Sequence, residues 1–193
     1  MTVARFLERR RTLATGLMPV ALLVAAWLTP GLRPRVAWLV AGTAVVAAGE
    51  VIRVWAAGHH PKHDALITSG PYAHTRNPLY LGSAVMGVGF CLLSQLWWSW
   101  LLVAGVLVAF YLPTVNEEER HLAKVFGDAY QRYIAQVPRF APRLRAHRAG
   151  DDAGERFAWR GVLERDEQMT ALWSALPVLA FWLRLLLFHR PEA

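Results

Sequence analysis

Five apolar stretches decide what this chain can fold into. A helix needs roughly 20 mostly apolar residues to cross the ~30 Å hydrocarbon core of a bilayer, and a few fewer suffice in a hairpin. Hydrophobic residues make up 55% of the 193 positions, too large a share for an ordinary soluble domain. We therefore predict an all-α integral membrane protein with about five transmembrane helices. Their predicted bounds are residues 12–28, 36–55, 79–96, 98–112 and 169–188.

The first and last stretches each leave an alternative. The first follows "RRR" and could be a signal peptide, but it lacks a convincing cleavage site, so we expect a retained anchor. The last contains Pro177 and Arg184, and it spans the membrane only if Arg184 reaches outward to the interface; a re-entrant or surface-lying helix is the alternative. We expect a membrane domain over 1–142, a polar linker with an interfacial helix over 143–168, and a C-terminal apolar helix over 169–193.

Basic residues predict the orientation of the spans, because short basic loops stay on the cytoplasmic side. Arginines precede the first span, Lys62 and Arg76 separate the second from the third, and the stretch 120–165 is rich in arginine. Arg33 and Arg35 in the first outer loop weakly oppose the assignment. The net charge of +7 thus indicates topology and attraction to anionic lipids, and no nucleic-acid-binding module is recognisable. We expect a bacterial inner-membrane protein with a cytoplasmic N-terminus.

The third and fourth stretches form a predicted tight hairpin. From Pro78 to Pro113 the chain runs out through about 18 residues and back through about 15, at ~1.5 Å per residue. Pro78 is expected to start the third span, because Asn77 before it is pushed out of the helical region. "TRNPLY" and "NEEER", the two feet of the hairpin, must therefore lie close together on one membrane face. After Pro113 we expect another helix, cytoplasmic or interfacial, that Pro138 and Pro142 end. Its apolar residues recur at helical spacing: Leu122, Val125, Phe126, Ala129 and Tyr133.

Charged groups on the two feet are candidates for a binding site. Arg76 lies at the N-terminus of the third span, where backbone N–H groups favour an anion such as a carboxylate or phosphate. Contact of Arg76 with lipid phosphate is the alternative. The second foot carries Glu117, Glu118 and Glu119. Such a run is usually a solvated helix face, but carboxylates held near apolar surface would accept hydrogen bonds from a diol or an amine.

Glu50 and Arg53 are charges inside a predicted span, three residues apart on one helical face. Charges are costly there and normally face the protein interior or a cavity. The two residues either form a structural ion pair or line a substrate cavity. The hairpin glycines also have two interpretations, because small residues allow close helix packing but can also leave room for a bound molecule. They are Gly82, Gly87, Gly89 and Gly105.

Metal and nucleotide sites are not expected. His59, His60 and His63 in "GHHPKHD" match no helical zinc pattern, because Pro61 interrupts them and no thiolate partner is available. "GVGF" lies in a predicted span and follows no strand, so it is not a nucleotide fingerprint. Cys91 is the single cysteine, and its apolar surroundings predict a buried, inert thiol.

Two motifs in order, with the hairpin between them, carry a family resemblance. The chain reads "GPYAHTRNPLYLG", then "EERHLAKVFGDAYQRY" and "VPRFAP". This pattern resembles the isoprenylcysteine carboxyl methyltransferase and phospholipid methyltransferase family of integral membrane enzymes, over residues 50–142. "GEVIRVWAAG" is also similar to the second span of bacterial members. The resemblance implies that S-adenosylmethionine is held between membrane helices at the cytosolic face, without a Rossmann domain.

The resemblance also implies roles for single residues. Arg76, Asn77 and Glu118 would be catalytic. The implied cofactor-binding residues are Tyr72, Arg76, Pro78, Tyr80, Glu118 and Glu119. Many members have a histidine where Asn77 stands, and an amide cannot act as a titrating base near neutral pH. Because residue 77 is an asparagine in this chain, nothing here supports a proton-transfer role like one that the histidine could have in those members.

The resemblance implies a methyltransferase whose lipophilic acceptor enters sideways from the bilayer, with membrane lipids as further partners. Arg76 would hold the cofactor carboxylate, and Glu118 and Glu119 its hydroxyl or amino groups. No residue identifies the acceptor, so a prenylated cysteine carboxylate, a phospholipid amine and a small hydrophobic thiol or carboxylate stay alternatives. An amine would need a base, for which Glu118 is the candidate. The alternative function is a non-catalytic lipid-binding membrane module.

Overall fold

The computed structural model is a helical bundle that describes residues 3–59, 66–147, 157–164 and 167–188, with side chains from residue 16 onward. The described part contains no strand, and its helices are α1 (Val3–Leu28), α2 (Val36–Gly58), α3 (Pro78–Ser94), α4 (Ser99–Val106), α5 (Leu112–Ile134), α6 (Trp159–Glu164) and α7 (Glu167–Phe188). A 3₁₀ turn covers Gly70–Ala73 and a π-helical turn covers Leu107–Tyr111. The all-α fold class is confirmed.

Three helices in the described chain are long and apolar enough to cross a membrane. They are α2, the continuous helix Ser99–Ile134, and α7. The other two predicted spans are shorter apolar helices, Gly16–Leu28 and Pro78–Ser94. Many large apolar side chains are exposed on the outside of the bundle, for example Leu101 at 68% and Leu186 at 73%, as expected for surfaces that face lipid. The chain is therefore an integral membrane protein.

Glycines bring α2 and α3 into close contact. A Cβ atom built on Gly49 would lie 2.6 Å from the carbonyl oxygen of Gly82, and one on Gly82 would lie 2.7 Å from that of Gly49. Gly42 and Gly89 face each other in the same way, so a larger residue at any of the four would push the helices apart. The packing interpretation is therefore correct for Gly82 and Gly89, although their partner is α2. A Cβ on Gly105 would meet nothing within 4 Å.

The return of the hairpin differs from the prediction. α4, the π-helical turn and α5 form one continuous helix, so the expected break at Pro113 is wrong. The N–H group of Leu112 donates to the carbonyl of Leu107, five residues back, which shifts the helix register just before Pro113. Pro113 then lies in the first turn of α5, where its missing N–H group costs little.

The helical part of α5 beyond Pro113 is also not uniform. Gly127 has φ 50° and ψ −124°, a conformation outside the helical region that a glycine adopts without steric cost. The predicted apolar periodicity through Phe126 and Tyr133 is therefore interrupted at this point. The change of direction brings Tyr130 and Tyr133, both buried, onto the 3₁₀ turn and its neighbours.

α7 runs antiparallel to α2 along the length of the bundle. Near its start Glu167 pairs with Arg53 of α2, and near its end Trp182 donates to the hydroxyl of Thr43 at 3.0 Å. Arg184 is only 3% exposed and donates to the carbonyl oxygen of Leu32, in the connection between α1 and α2, at 2.5 Å. Arg184 thus finds a backbone acceptor in the connection at the end of the bundle; that it reaches outward to the interface stays a prediction.

The predicted linker partly packs on the bundle. The N–H groups of Arg143 and His147 donate to the carbonyls of His74 and Ala73, so the start of the linker is hydrogen-bonded to the first foot. α6 lies farther along in the predicted linker, and the ring of Phe157 just before it packs against Gly58 at the end of α2. Residues 148–156 lie outside the described chain.

Candidate functional site

The two feet of the hairpin meet, as the sequence predicts, and a third segment closes over them. The N–H group of Arg76 donates to the carbonyl of Pro138 at 2.9 Å. The hydroxyl of Thr75 donates to the carbonyl of Arg139 at 3.1 Å. The "PRFAPR" segment therefore pairs with "AHTR", the four residues that lead into the first foot and include its first two. α3 begins at Pro78, as predicted, and Asn77 has the non-helical angles φ −128° and ψ 58°.

Asn77 acts as a connector between the three segments. Its side-chain N–H₂ group donates to Glu119 Oε1 at 3.2 Å and to the carbonyl of Arg139 at 3.2 Å, and the residue is only 7% exposed. Both amide protons are thus used in binding the second foot and the returning segment to the first. The amide thus joins the three segments, and it offers no proton that titrates near neutral pH.

Glu119 is held by two guanidinium groups. Arg76 Nη1 lies 3.5 Å from Glu119 Oε1, and Arg139 Nη2 lies 3.3 Å from Glu119 Oε2. Arg139 also donates to the side-chain oxygen of Asn116. With Asn77 as a further donor, the ionised form of Glu119 is well satisfied, and two positive charges surround one negative charge. The cluster of Arg76, Arg139 and Glu119 therefore has an excess of one positive charge.

Glu118 has different surroundings, although it is adjacent in sequence. Its Oε2 atom accepts a hydrogen bond from the hydroxyl of Tyr80 at 2.8 Å, and the residue is exposed. The rings of Tyr80 and Tyr111 pack edge to face, with centroids 5.6 Å apart. Glu117 pairs with Arg120 on the exposed helix face. The solvated-face interpretation is thus right for Glu117, whereas Glu118 and Glu119 lie at the meeting point of the feet.

Three buried polar atoms near Glu119 make no hydrogen bond of good geometry in the described part of the chain, although the hydroxyl of Tyr130 lies beside the guanidinium group of Arg76. They are Arg76 Nε, Arg139 Nε and the hydroxyl oxygen of Tyr130. The polar part of α5 beyond Val115 lies outside the apolar span, and there burial, followed by the nearby charge of Glu119, raises the pKa of Tyr130. Tyr130 therefore stays protonated at neutral pH. Buried donors without an acceptor are costly, so this cluster fits an anionic ligand.

Arg139 and Tyr130 were missed by the sequence reasoning. Both lie in motifs that carry the family resemblance, "VPRFAP" and "FGDAYQRY". Their position in these motifs was the signal that could have identified them as site residues. Tyr72 lies in the 3₁₀ turn, where its carbonyl accepts a hydrogen bond from the hydroxyl of Tyr133 at 2.8 Å. Pro78 is buried at the first turn of α3. Burial likewise raises the pKa of Tyr133, which keeps this donor protonated.

Glu50 and Arg53 do not join this cluster, and they do not form the ion pair that was one of their two interpretations. Arg53 instead binds Glu167 of α7, with Nη2 2.9 Å from Oε1 and Nε 3.1 Å from Oε2. Its Nη1 atom donates to the hydroxyl of Ser83 on α3. Arg53 thus links α2, α3 and α7. Both carboxylate oxygens of Glu50 are buried without a hydrogen-bond partner in the described chain.

The histidines have structural contacts where they are described. His59 Nδ1 lies 2.9 Å from the carbonyl of Trp55, and His74 Nδ1 lies 2.7 Å from that of Arg143. No group of three His, Cys, Asp or Glu side chains within the described ranges could hold a metal ion. His60 and His63 lie outside those ranges. Cys91 is buried, as predicted.

Comparisons with known proteins bear on the same region. Residues 38–129 match the family model described as phospholipid methyltransferase. Over 102 residues the chain is 34% identical to the protein-S-isoprenylcysteine O-methyltransferase of Schizosaccharomyces pombe. This alignment covers 53% of the chain and 43% of that protein. Over 126 residues it is 32% identical to a cobalt-zinc-cadmium resistance protein of Cupriavidus metallidurans, covering 63% and 54%.

A nickel-cobalt-cadmium resistance protein of Alcaligenes xylosoxydans xylosoxydans is 33% identical over 117 residues, covering 58% of this chain and 54% of that protein. The chain spans about half the length of the curated relatives that it matches. No solved structure matches it. The family match runs from α2 into α5 and includes both feet of the hairpin.

Proposed function

We propose, from the membership of residues 38–129 in the phospholipid methyltransferase family, that this membrane protein transfers a methyl group from S-adenosylmethionine to a lipophilic acceptor. The observation that carries the proposal is the charge arrangement at the meeting point of the feet. Arg76 and Arg139 share Glu119, and the cluster has an excess positive charge and buried donors without an acceptor. An anionic group on a ligand would complete this cluster.

The side chains present fit S-adenosylmethionine. Arg76, Arg139 and Tyr130 would hold its carboxylate, because these three provide the unpartnered donors. Glu118, which Tyr80 orients, offers carboxylate oxygens to a hydroxyl or amino group. The bound cofactor supplies a methyl group that is already activated on a positively charged sulfur. The half-buried ring of Tyr80, which packs edge to face on the buried ring of Tyr111, provides a surface on which adenine can pack.

Alignment and exclusion of water are the main tasks of the protein in such a reaction. Asn77 connects Glu119 to the returning segment, and Glu119 in turn fixes both guanidinium groups. This chain of contacts makes Glu119 a positioning residue, whereas Arg76 and Glu118 face the ligands. The division refines the expectation that Glu118 and Glu119 have the same role.

The acceptor determines whether a proton must be removed. A carboxylate or thiolate acceptor arrives deprotonated and needs no base. An amine acceptor needs one, and Glu118 can take this proton, because it is exposed and has no guanidinium partner in the described chain. Glu119 is unsuited to this role, since Arg76, Arg139 and Asn77 already occupy its carboxylate oxygens. Asn77 cannot act as a base.

A lipophilic acceptor fits a site built at the ends of apolar helices, because it can reach the site laterally from the bilayer. The relative in Schizosaccharomyces pombe is named for an isoprenylcysteine substrate, which supports an acceptor of this general class. The basic segments that flank the helices support a cytoplasmic location of the N-terminus and the site, in a bacterial inner membrane.

Binding of S-adenosylmethionine to the purified protein in detergent, measured by isothermal titration calorimetry, tests the cofactor assignment. We expect saturable binding that Arg76→Ala and Glu118→Ala both abolish, with unchanged helical content. Glu117→Ala is the matched control, because its carboxylate lies on the exposed face and pairs with Arg120. Absence of saturable binding to the wild-type protein would favour the non-catalytic lipid-binding module. Transfer of a labelled methyl group to membrane lipid extracts then identifies the acceptor.

A further inference from the structure

Three ionisable side chains inside the bundle, one guanidinium and two carboxyl groups, leave one carboxyl group without a partner in the described chain. Arg53 makes three hydrogen bonds to Glu167 and one to Ser83, and this set uses all three of its guanidinium nitrogens. Glu50 lies one turn farther into α2, and neither of its carboxylate oxygens has a hydrogen-bond partner within the described ranges. With one positive and two negative groups, this cluster needs either a proton or a cation, because an unpaired charge in a span is costly.

A groove runs along α2 beside Glu50. Its walls are Ala47, Glu50, Val51, Val54, Trp55 and Phe157, and its cavity volume is about 440 Å³. Ligand pockets have volumes of roughly 300–1,000 Å³, so this groove is large enough for a small molecule or one hydrocarbon chain. The walls are almost entirely apolar, and Val51 is 67% exposed on the outer surface of the bundle. The groove is therefore accessible from the hydrocarbon region of a bilayer.

Two aromatic rings, those of Trp55 and Phe157, line the groove near the end of α2, and the rings of His59 and Trp159 pack against them. The rings of Trp55 and His59 have centroids 6.2 Å apart, those of His59 and Phe157 are 5.9 Å apart, and Phe157 and Trp159 are 5.0 Å apart. The electron-rich faces of tryptophan and phenylalanine attract ammonium groups within about 6 Å. An incoming cation would thus meet aromatic rings at the mouth of the groove and a carboxylate farther inside.

We propose that this groove binds a membrane-soluble amine with a single hydrocarbon chain. The chain lies along Ala47, Val51 and Val54, and the ammonium group pairs with the carboxylate of Glu50. Because Glu50 contributes to the wall while its oxygens are covered, this pairing requires a change of the Glu50 side-chain rotamer. The ligand neutralises the excess negative charge of the cluster. The groove shares no lining residue with the meeting point of the hairpin feet, so the proposal does not rest on methyl transfer.

Two probes of equal chain length test the charge requirement. Radiolabelled hexadecylamine and hexadecanol are titrated by scintillation proximity against the full chain in phosphatidylcholine nanodiscs, with empty nanodiscs subtracted. We expect the amine to bind about tenfold to hundredfold more tightly than the alcohol, as for a charge-assisted hydrogen bond. Glu50→Gln should remove this preference. Equal affinity of the two probes for the wild-type protein, or a preference that survives in Glu50→Gln, overturns the proposal.

Two further variants locate the binding site. Val54→Trp fills the groove and should abolish saturable binding of both probes. If Glu50→Gln does not fold, this variant still tests whether the probes bind in the groove. Glu117→Gln removes an exposed carboxylate on the outer helix face and should keep the amine preference. Loss of the preference in Glu117→Gln, or normal binding in a folded Val54→Trp, places the amine outside the groove and refutes the proposal. Neither outcome depends on whether S-adenosylmethionine binds.

Discussion

Replacing Arg139 with alanine tests the proposed carboxylate site most directly. Arg139 lies 3.3 Å from Glu119, and its Nε atom is buried without an acceptor in the described chain. A hydrogen bond from a charged donor contributes about 1.5–3 kcal/mol, which corresponds to roughly a tenfold to hundredfold weaker binding of S-adenosylmethionine. The fold should survive, because Glu119 keeps Arg76 and Asn77 as partners.

The assay is isothermal titration calorimetry with two ligands, S-adenosylmethionine and its decarboxylated form. The wild-type protein should bind the decarboxylated ligand more weakly, and Arg139→Ala should add little further loss, because the group that Arg139 binds is already absent. Arg120→Ala is the matched control, since this arginine is 71% exposed and pairs with Glu117 on the outer helix face.

Two results would refute the reasoning about Arg139. Wild-type affinity of Arg139→Ala for S-adenosylmethionine would mean that its unpartnered Nε atom does not contact the cofactor. An equal loss for both ligands would mean that Arg139 acts on the fold of the site and not on a carboxylate. Arg139→Lys adds a further check, because lysine keeps the charge but lacks the planar group of donors, so we expect intermediate affinity.

The other predictions concern stability. Gly49→Ala should lower the free energy of unfolding by more than 1 kcal/mol, because its Cβ would lie 2.6 Å from a backbone oxygen, whereas Gly105→Ala should be neutral. Glu167→Ala should lower the melting temperature in detergent more than Arg53→Met combined with Glu167→Leu, because the single change leaves a buried charge unpaired. The pKa of Tyr130 is raised in the folded protein, so its contribution to the free energy of unfolding is complete below the unfolded pKa of about 10 and is lost as the pH rises through the folded pKa. The free energy of unfolding of Tyr130→Phe should therefore fall less between about pH 9 and 11 than that of the wild type.

The feet of the hairpin could be predicted because their positions follow from local rules. Pro78 fixes the start of α3, and two apolar segments of similar length return the chain to the same end of the bundle. The break at Pro113 could not be predicted correctly, since a π-helical turn shifts the register in front of the proline. No pattern in a single sequence distinguishes that turn from a helix end.

Charge pairs over long sequence separations were beyond the sequence analysis. The spacing of Glu50 and Arg53 favours a pair within one helix, but Glu167, 114 residues after Arg53, approaches from α7 and takes the guanidinium group. Arg139 reaches Glu119 in the same way, because the segment after α5 folds back onto the first foot. Local periodicity identifies which charges lie near the membrane, whereas helix packing decides which of them pair.

The two charge clusters differ in composition, and this difference connects the two proposals. Arg76, Arg139 and Glu119, all half-buried, have one excess positive charge at the hairpin feet, whereas Arg53 and its two neighbouring acids have one excess carboxyl group inside the bundle. Unsatisfied buried groups are costly, so each cluster favours a ligand group of the opposite charge. The positive cluster fits the carboxylate of a cofactor, and the negative cluster fits a cation delivered from the bilayer. A cationic ligand should therefore discriminate between the clusters by charge alone.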